Sequence, residues 1–175
     1  ASNGDLYFTD HGNTGLQDPT GGVYCLRADG RLECLLNNIP SPNGIALDPS
    51  ESNLYVAVTR DACVWKVPLE EDGNIGKVGI FVRCVFGGTP DGIAVDEAGN
   101  LAITRFMCNE EIWLISKTMK PVCRVTPKDG EEHHYTNLAY GGDGNRTLFI
   151  TETSTSSIMM AKMEVPGKVM YSHHR

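Results

Sequence analysis

Apolar and polar residues alternate along this chain in short runs, and clusters rich in Gly, Pro, Asn and Asp separate the runs. A period of two with this punctuation is the pattern of β-strands joined by tight turns. No window longer than about ten residues keeps the spacing of an amphipathic helix, so an all-β fold is expected. Aligning the runs exposes a repeat. A turn followed by two strands occurs as PNGIALDPSESNLYVAVT at 42–59, PDGIAVDEAGNLAITR at 90–105 and TNLAYGGDGNRTLFITE at 136–152, and its second half alone as NGDLYFTD at 3–10. The anchoring leucines Leu6, Leu54, Leu101 and Leu148 are 48, 47 and 47 residues apart.

A third run follows each time: GGVYCLRA at 21–28, ACVWKVPL at 62–69, EEIWLISK at 110–117 and SSIMMAKM at 156–163. A fourth comes after it as RLECLL, KVGIFV, PVCRV and GKVMYS. Four strands in about 47 residues is the period of a β-propeller blade, whose sheet is covered by neighbours on both faces. An unrelated β-sandwich is the competing architecture; three constant steps with matching internal landmarks weigh against it. The 175 residues then form one domain, 1–175, of about 3.7 four-stranded blades, where a propeller of this kind closes with about six. Read this way, the chain opens partway through a blade and is N-terminally incomplete.

Composition narrows the partners. The chain is 41% hydrophobic and 21% charged, as a globular domain is. Its net charge of −7 and its lack of basic clusters argue against nucleic acid. No run approaches the roughly 18 apolar residues of a membrane span, and the opening ASNGDLYFTD is not a signal peptide. The six cysteines, at 25, 34, 63, 84, 108 and 123, contain no CxxC. They read as reduced core thiols of a cytoplasmic protein, although a signal removed before residue 1 would leave no trace.

The phase of the repeat marks candidate chemistry. The first strand of a blade lies innermost, so the turns entering successive first strands converge at one mouth of the central channel. Asn43, Asp91 and Asn137 precede their leucines by 11, 10 and 11 residues and should face one axial pocket. For Leu6 the same offset falls before residue 1. Two amides and one carboxylate suit a hard, oxygen-preferring dication such as Ca²⁺, Mg²⁺ or Mn²⁺. Such an ion could polarise a carbonyl while Asp91 activates water. The plainer alternative is that Asn and Asp open these turns because their side chains bond nearby backbone N–H groups.

The string YFTDHGNTGLQDPTGGVYCLRADGRLECLL, with SPNGIALDP, GGTPDGIAVDEAGNL, TNLAYGGDGNRTLFITE and the ending VPGKVMYSHHR, resembles the family of gluconolactonase, senescence marker protein (regucalcin) and luciferin-regenerating enzyme. The likeness runs from about residue 4 to the end and is greatest to the gluconolactonase-like branch. It implies a six-bladed propeller with one divalent cation in its channel, Ca²⁺ foremost and Zn²⁺, Mn²⁺ or Mg²⁺ as alternatives, that hydrolyses sugar lactones or related esters. The family's metal is held by four side chains. Two match Asn43 and Asp91, and Asp91 is also the implied base; the other two belong to sequence before residue 1. Asn137 matches a pocket-lining position, and the loop carrying His11 and Asn13 resembles one that borders the substrate, with a glycine-rich surface loop as its plainer reading.

Other motifs carry less. His133-His134 and His173-His174 lack zinc-site spacing and read as solvated histidines. The stretch Thr151–Ser157 has no GxSxG and reads as a polar loop. Asn145-Arg146-Thr147 fits a glycosylation sequon. Trp65, Trp113 and Tyr24 hold equivalent places and read as packing between blades. Cys25 and Cys34 flank the turn Ala28–Arg31. A two-residue loop would oppose them closely enough for a disulfide, and a bulge at Gly30 would shift them apart; unbonded thiols are expected. Two functions follow: a metal-dependent lactonase acting on a neutral sugar lactone, with aryl esters or phosphotriesters as related substrates, or a non-catalytic propeller that binds protein or calcium.

Overall fold

A computed structural model describes residues 1–85, 87–106, 111–128 and 133–174. Among the described residues, fourteen strands form four antiparallel sheets in chain order. The first holds β1 (Leu6–Asp10), β2 (Gly21–Leu26) and β3 (Leu32–Ile39). The second holds β4 (Pro42–Leu47), β5 (Asn53–Val58), β6 (Cys63–Pro68) and β7 (Gly79–Arg83). The third holds β8 (Thr89–Val95), β9 (Leu101–Phe106), β10 (Ile112–Ile115) and β11 (Pro121–Val125). The fourth holds β12 (Tyr135–Gly141), β13 (Thr147–Glu152) and β14 (Ser157–Lys162).

The sheets stack face to face through three separate cores, and the alternation of side chains explains each. In β5, Leu54, Val56 and Val58 point back and pack with Val23 and Ile39 of the first sheet, while Tyr55 and Ala57 point forward onto Ile93, Leu101 and Ile103 of the third. In the third sheet, Ala102, Ile112 and Leu114 meet Tyr135, Leu138, Leu148 and Ile150 of the fourth. Burial on both faces is why these strands read as almost continuous apolar runs. Where no described sheet follows, apolar residues stay in water: Leu6 is 58% exposed and Met160 69%. The anchoring leucine of the first repeat therefore sits on an open face, unlike its three fully buried counterparts.

Several expectations change here. GKVMYS does not form a fourth strand beside β14. Instead, Gly167 bridges Asp96, Lys168 N–H donates to Val95 O (2.9 Å), and a 3-10 turn follows at Tyr171–His174. The free edge of β14 faces a groove of about 970 Å³ whose other wall is β11. Gly167 is held because a Cβ there would lie 2.1 Å from Tyr140 Cβ. Asn145, the sequon residue, uses its side-chain N–H to bind Gly167 O at 2.6 Å. His133 is buried and stacked on Tyr135, not solvated.

The turn after β2 is the bulged one, with Gly30 at φ +91°, so Cys25 opposes Glu33 and Cys34 opposes Tyr24. Both thiols are free. Of the described cysteines only Cys25 and Cys63 are buried, and burial raises both thiols, Cys63 to about 12; Cys108 lies outside the described residues. Trp65, Trp113 and Tyr24 are equivalent in register, opposite Val56, Ile103 and Phe8. Trp65 and Trp113 pack on the sheet cores, whereas Tyr24 stacks on Phe8 within the first sheet.

The C-terminal segment is pinned by charge. Lys168 Nζ lies 2.7 Å from Glu51 Oε1, and Ser2 N–H and Oγ donate to Glu51 Oε2. Burial alone would raise the Glu51 carboxyl, but these partners hold it at about 2, below its ordinary 4.5. A depressed carboxylate stabilises the fold above its unfolded value, and that contribution is lost as pH falls from about 4.5 to about 2. Glu51→Gln is therefore expected to cost about 2–3 kcal/mol at neutral pH. Urea titrations across that pH window should show the two proteins converging as pH falls; a constant gap would refute the assignment.

Candidate functional site

The first strands of the second, third and fourth sheets lie side by side, β4 against β8 and β8 against β12, and each leaves its ladder at the turn that the repeat had marked. The β4–β5 register slips between Pro42 and Ile45, placing Asn43 and Gly44 in a bulge. The β8–β9 register slips between Pro90 and Ile93, placing Asp91 and Gly92 in a second. The β12–β13 register slips at Thr136, next to Asn137. Such bulges re-aim side chains and free backbone groups from the ladder, a frequent device beside binding sites.

Glycine lets these bulges touch. A Cβ on Gly44 would lie 2.4 Å from Asp91 O and 2.7 Å from Ile93 N. A Cβ on Gly92 would lie 2.5 Å from both Cα and Oδ1 of Asn137. The third turn carries Leu138 in the same place. The PNG and PDG triplets thus combine an oxygen-bearing side chain with the one residue that permits the next inner strand to approach.

Asn43 and Asp91 come together: the Asn43 amide and the His11 imidazole both lie near enough to Asp91 to favour its ionised carboxylate. Burial raises the Asp91 carboxyl above its ordinary value; His11 and Asn43 offset this in part. Asn137 is exposed, and its Oδ1 accepts from the N–H of Leu138 at 2.8 Å, so its oxygen serves the local turn. Asn13 lies in the loop after β1. Its N–H meets Thr20 Oγ1 (3.3 Å), and the loop is tied to the start of β4 by Ser41 Oγ, which donates to Thr14 O at 3.2 Å. Among the described residues no hydrogen bond joins Asn13 to Asn43, Asp91 or Asn137.

One carboxylate and one amide supply only oxygen as an anionic or neutral donor, and no Lys or Arg is among the groups that act on Asp91. That chemistry fits a hard dication. Among the described residues no three His, Cys, Asp or Glu side chains gather as a metal-binding cluster. At the opposite end of the inner strands, the repeated Asp48 and Asp96 are absorbed by their turns, accepting from Asn53 and Asn100.

The repeat also contained a signal that attention to the turns missed. Three residues after each anchoring leucine stand Thr9, Ala57, Thr104 and Thr151. Thr9 Oγ1 donates to Asn43 O (2.7 Å), Thr104 Oγ1 lies 3.0 Å from Gly92 O and 3.1 Å from Thr136 O, and Thr151 Oγ1 donates to Asn137 O (3.2 Å). In the second sheet, where Ala57 has no hydroxyl, Thr59 reaches Pro90 O (2.9 Å). These hydroxyls sit under the bulged turns.

The SMP-30/gluconolactonase/LRE-like region matches residues 1–154, and the chain belongs to that family. It is 32% identical over 120 residues to the gluconolactonase of Zymomonas mobilis, covering 58% of this chain and 33% of that protein. It is 28% identical over 173 residues to lactonase drp35 of Staphylococcus aureus, covering 97% of this chain and 51% of that one. The chain therefore spans about half, or less, of the length of these relatives. Its fold matches a crystal structure of the calcium-binding protein regucalcin from Agrobacterium tumefaciens with a TM-score of 0.75 at 20% identity, covering 97% of this chain and 60% of that one.

Proposed function

We propose that this protein is a lactone hydrolase whose four sheets are blades of a six-bladed propeller, with Asp91 as general base. The observation that carries the reading is the pairing of Asn43 and Asp91 on adjacent bulged inner strands. The names of the gluconolactonase and lactonase relatives support the substrate class. The protein's acidic charge of −7 favours neutral sugar lactones over phosphorylated ones.

Asn43 and Asp91 would hold a divalent cation, Ca²⁺ by the likeness to regucalcin, and the ion would supply Lewis acidity toward the carbonyl oxygen. Asp91 accepts a proton from water as the water oxygen bonds to the carbonyl carbon. The tetrahedral oxyanion then collapses, the ring C–O bond breaks, and the proton passes from Asp91 to the departing alkoxide, giving the hydroxy acid. A carboxyl raised by burial is a better base near neutrality than an ordinary one. Asn43 holds that carboxylate in place, and His11, Asn13 and Asn137 border the substrate.

The resemblance assigns two further ligands to sequence preceding residue 1. The 175-residue chain is therefore expected to open glucono-δ-lactone little above background, and a form extended by roughly 120 residues to do so with added Ca²⁺ and to lose activity to chelator. A pH-stat reads the acid released. Equal inactivity of both forms with metal supplied would end the lactonase reading and favour a binding role.

A further inference from the structure

The ladder between β8 and β9 opens where Asp91 and Gly92 bulge, and the residue left opposite them is Thr104. Its side chain is fully buried. The one hydroxyl lies within hydrogen-bond reach of two carbonyls, Gly92 O at 3.0 Å in its own sheet and Thr136 O at 3.1 Å in the next. A hydroxyl carries one proton, so the two carbonyls share it. Gly92 directly follows Asp91, and Thr136 directly precedes Asn137. The contact therefore spans the junction that Gly92, lacking a Cβ, leaves open for the backbone of Asn137.

We infer that Thr104 is a positioning residue of the pocket, locking the Asp91 bulge to the Asn137 bulge and so setting where the Asp91 carboxylate sits. This inference rests on the lactonase reading for its consequence in turnover, though not for its geometry. A bulge without ladder bonds has two ways to satisfy its carbonyls: retreat toward water or find a buried donor. Thr104 supplies the donor and removes the freedom to retreat. Misplacement of a reacting group by about 1 Å can cost roughly a hundredfold in rate, so a single methyl-for-hydroxyl exchange under the turn should be felt at the mouth.

The test uses Thr104→Val, which keeps the shape and removes the hydroxyl, Thr104→Ser, which restores it, and Thr147→Val as a control. Thr147 is also buried, and its Oγ1 accepts from Lys162 Nζ at the other end of β13. The side-chain amide resonances of Asn43 and Asn137 should move in Thr104→Val, return in Thr104→Ser and stay in place in Thr147→Val. In the extended protein, kcat should fall about 10- to 100-fold in Thr104→Val with KM changed less than about twofold, and recover in Thr104→Ser. A folded Thr104→Val with both resonances unmoved overturns the inference, as does an equal displacement by Thr147→Val. Should Thr104→Val not fold, the wild-type Thr104 hydroxyl proton decides: it should exchange slowly with water, and exchange at the rate of an exposed hydroxyl would overturn the assignment. Absence of lactone turnover in every form would remove the lactonase reading and leave the resonances to judge Thr104.

Discussion

Asp91→Asn in the extended protein should lower kcat/KM for glucono-δ-lactone by about 10²–10⁴ while leaving the fold intact. The exchange preserves size and a hydrogen-bonding oxygen, and it removes the basic site and the negative charge together. General-base catalysis contributes on this scale, and loss of the anionic donor weakens cation binding in addition. Stability should not fall in parallel. Burial raises the Asp91 carboxyl, which means that the ionised form opposes folding at neutral pH and that a neutral amide relieves this cost. Activity and thermal midpoint measured on the same preparation should therefore part company, the first collapsing and the second holding or rising. Near-normal turnover would remove Asp91 as the base.

Gly44→Ala should have the largest effect on the fold. The added Cβ would meet backbone on the neighbouring inner strand, Asp91 O at 2.4 Å and Ile93 N at 2.7 Å. Backbone cannot swing aside as a side chain can, so β4 and β8 must part and the core between the second and third sheets must open with them. A loss of about 3 kcal/mol or more is expected, in the range of severe overpacking. Gly79→Ala is the matched control, because nothing lies within 4 Å of the corresponding Cβ; it should change stability by less than about 0.5 kcal/mol. Urea denaturation of the two variants measures the difference. Equal stabilities would show that the inner strands do not depend on this close approach.

The repeat was legible because sheets that pack on neighbours carry similar apolar runs at a constant step, most fully in the second and third sheets, which bury both faces. Four sheets in chain order and the strand boundaries near Leu54, Leu101 and Leu148 follow from that pattern. GKVMYS shows its limit. Its alternation suits a strand, but the segment is bound instead by Val95 and Asp96 at the end of β8 and by Asn145 in the turn between β12 and β13, contacts that no local periodicity encodes. Leu6 shows another: the same leucine is core or surface depending on whether a sheet lies against it. The register of Cys25 was left open between two turn types, and the left-handed Gly30 settled it.

For the site, the sequence by itself placed Asn43, Asp91 and Asn137 in equivalent turns, since they keep one phase with their anchoring leucines and equal phase in a repeat means the same place in each sheet. Tertiary structure alone decided how those turns meet. Asn43 comes beside Asp91 across two sheets, the oxygen of Asn137 turns to its own backbone, and the threonines beneath close the gaps where the ladders open. A bulge depends on how two strands pair and a close approach on which atoms are absent, so both exist only once the sheets have packed.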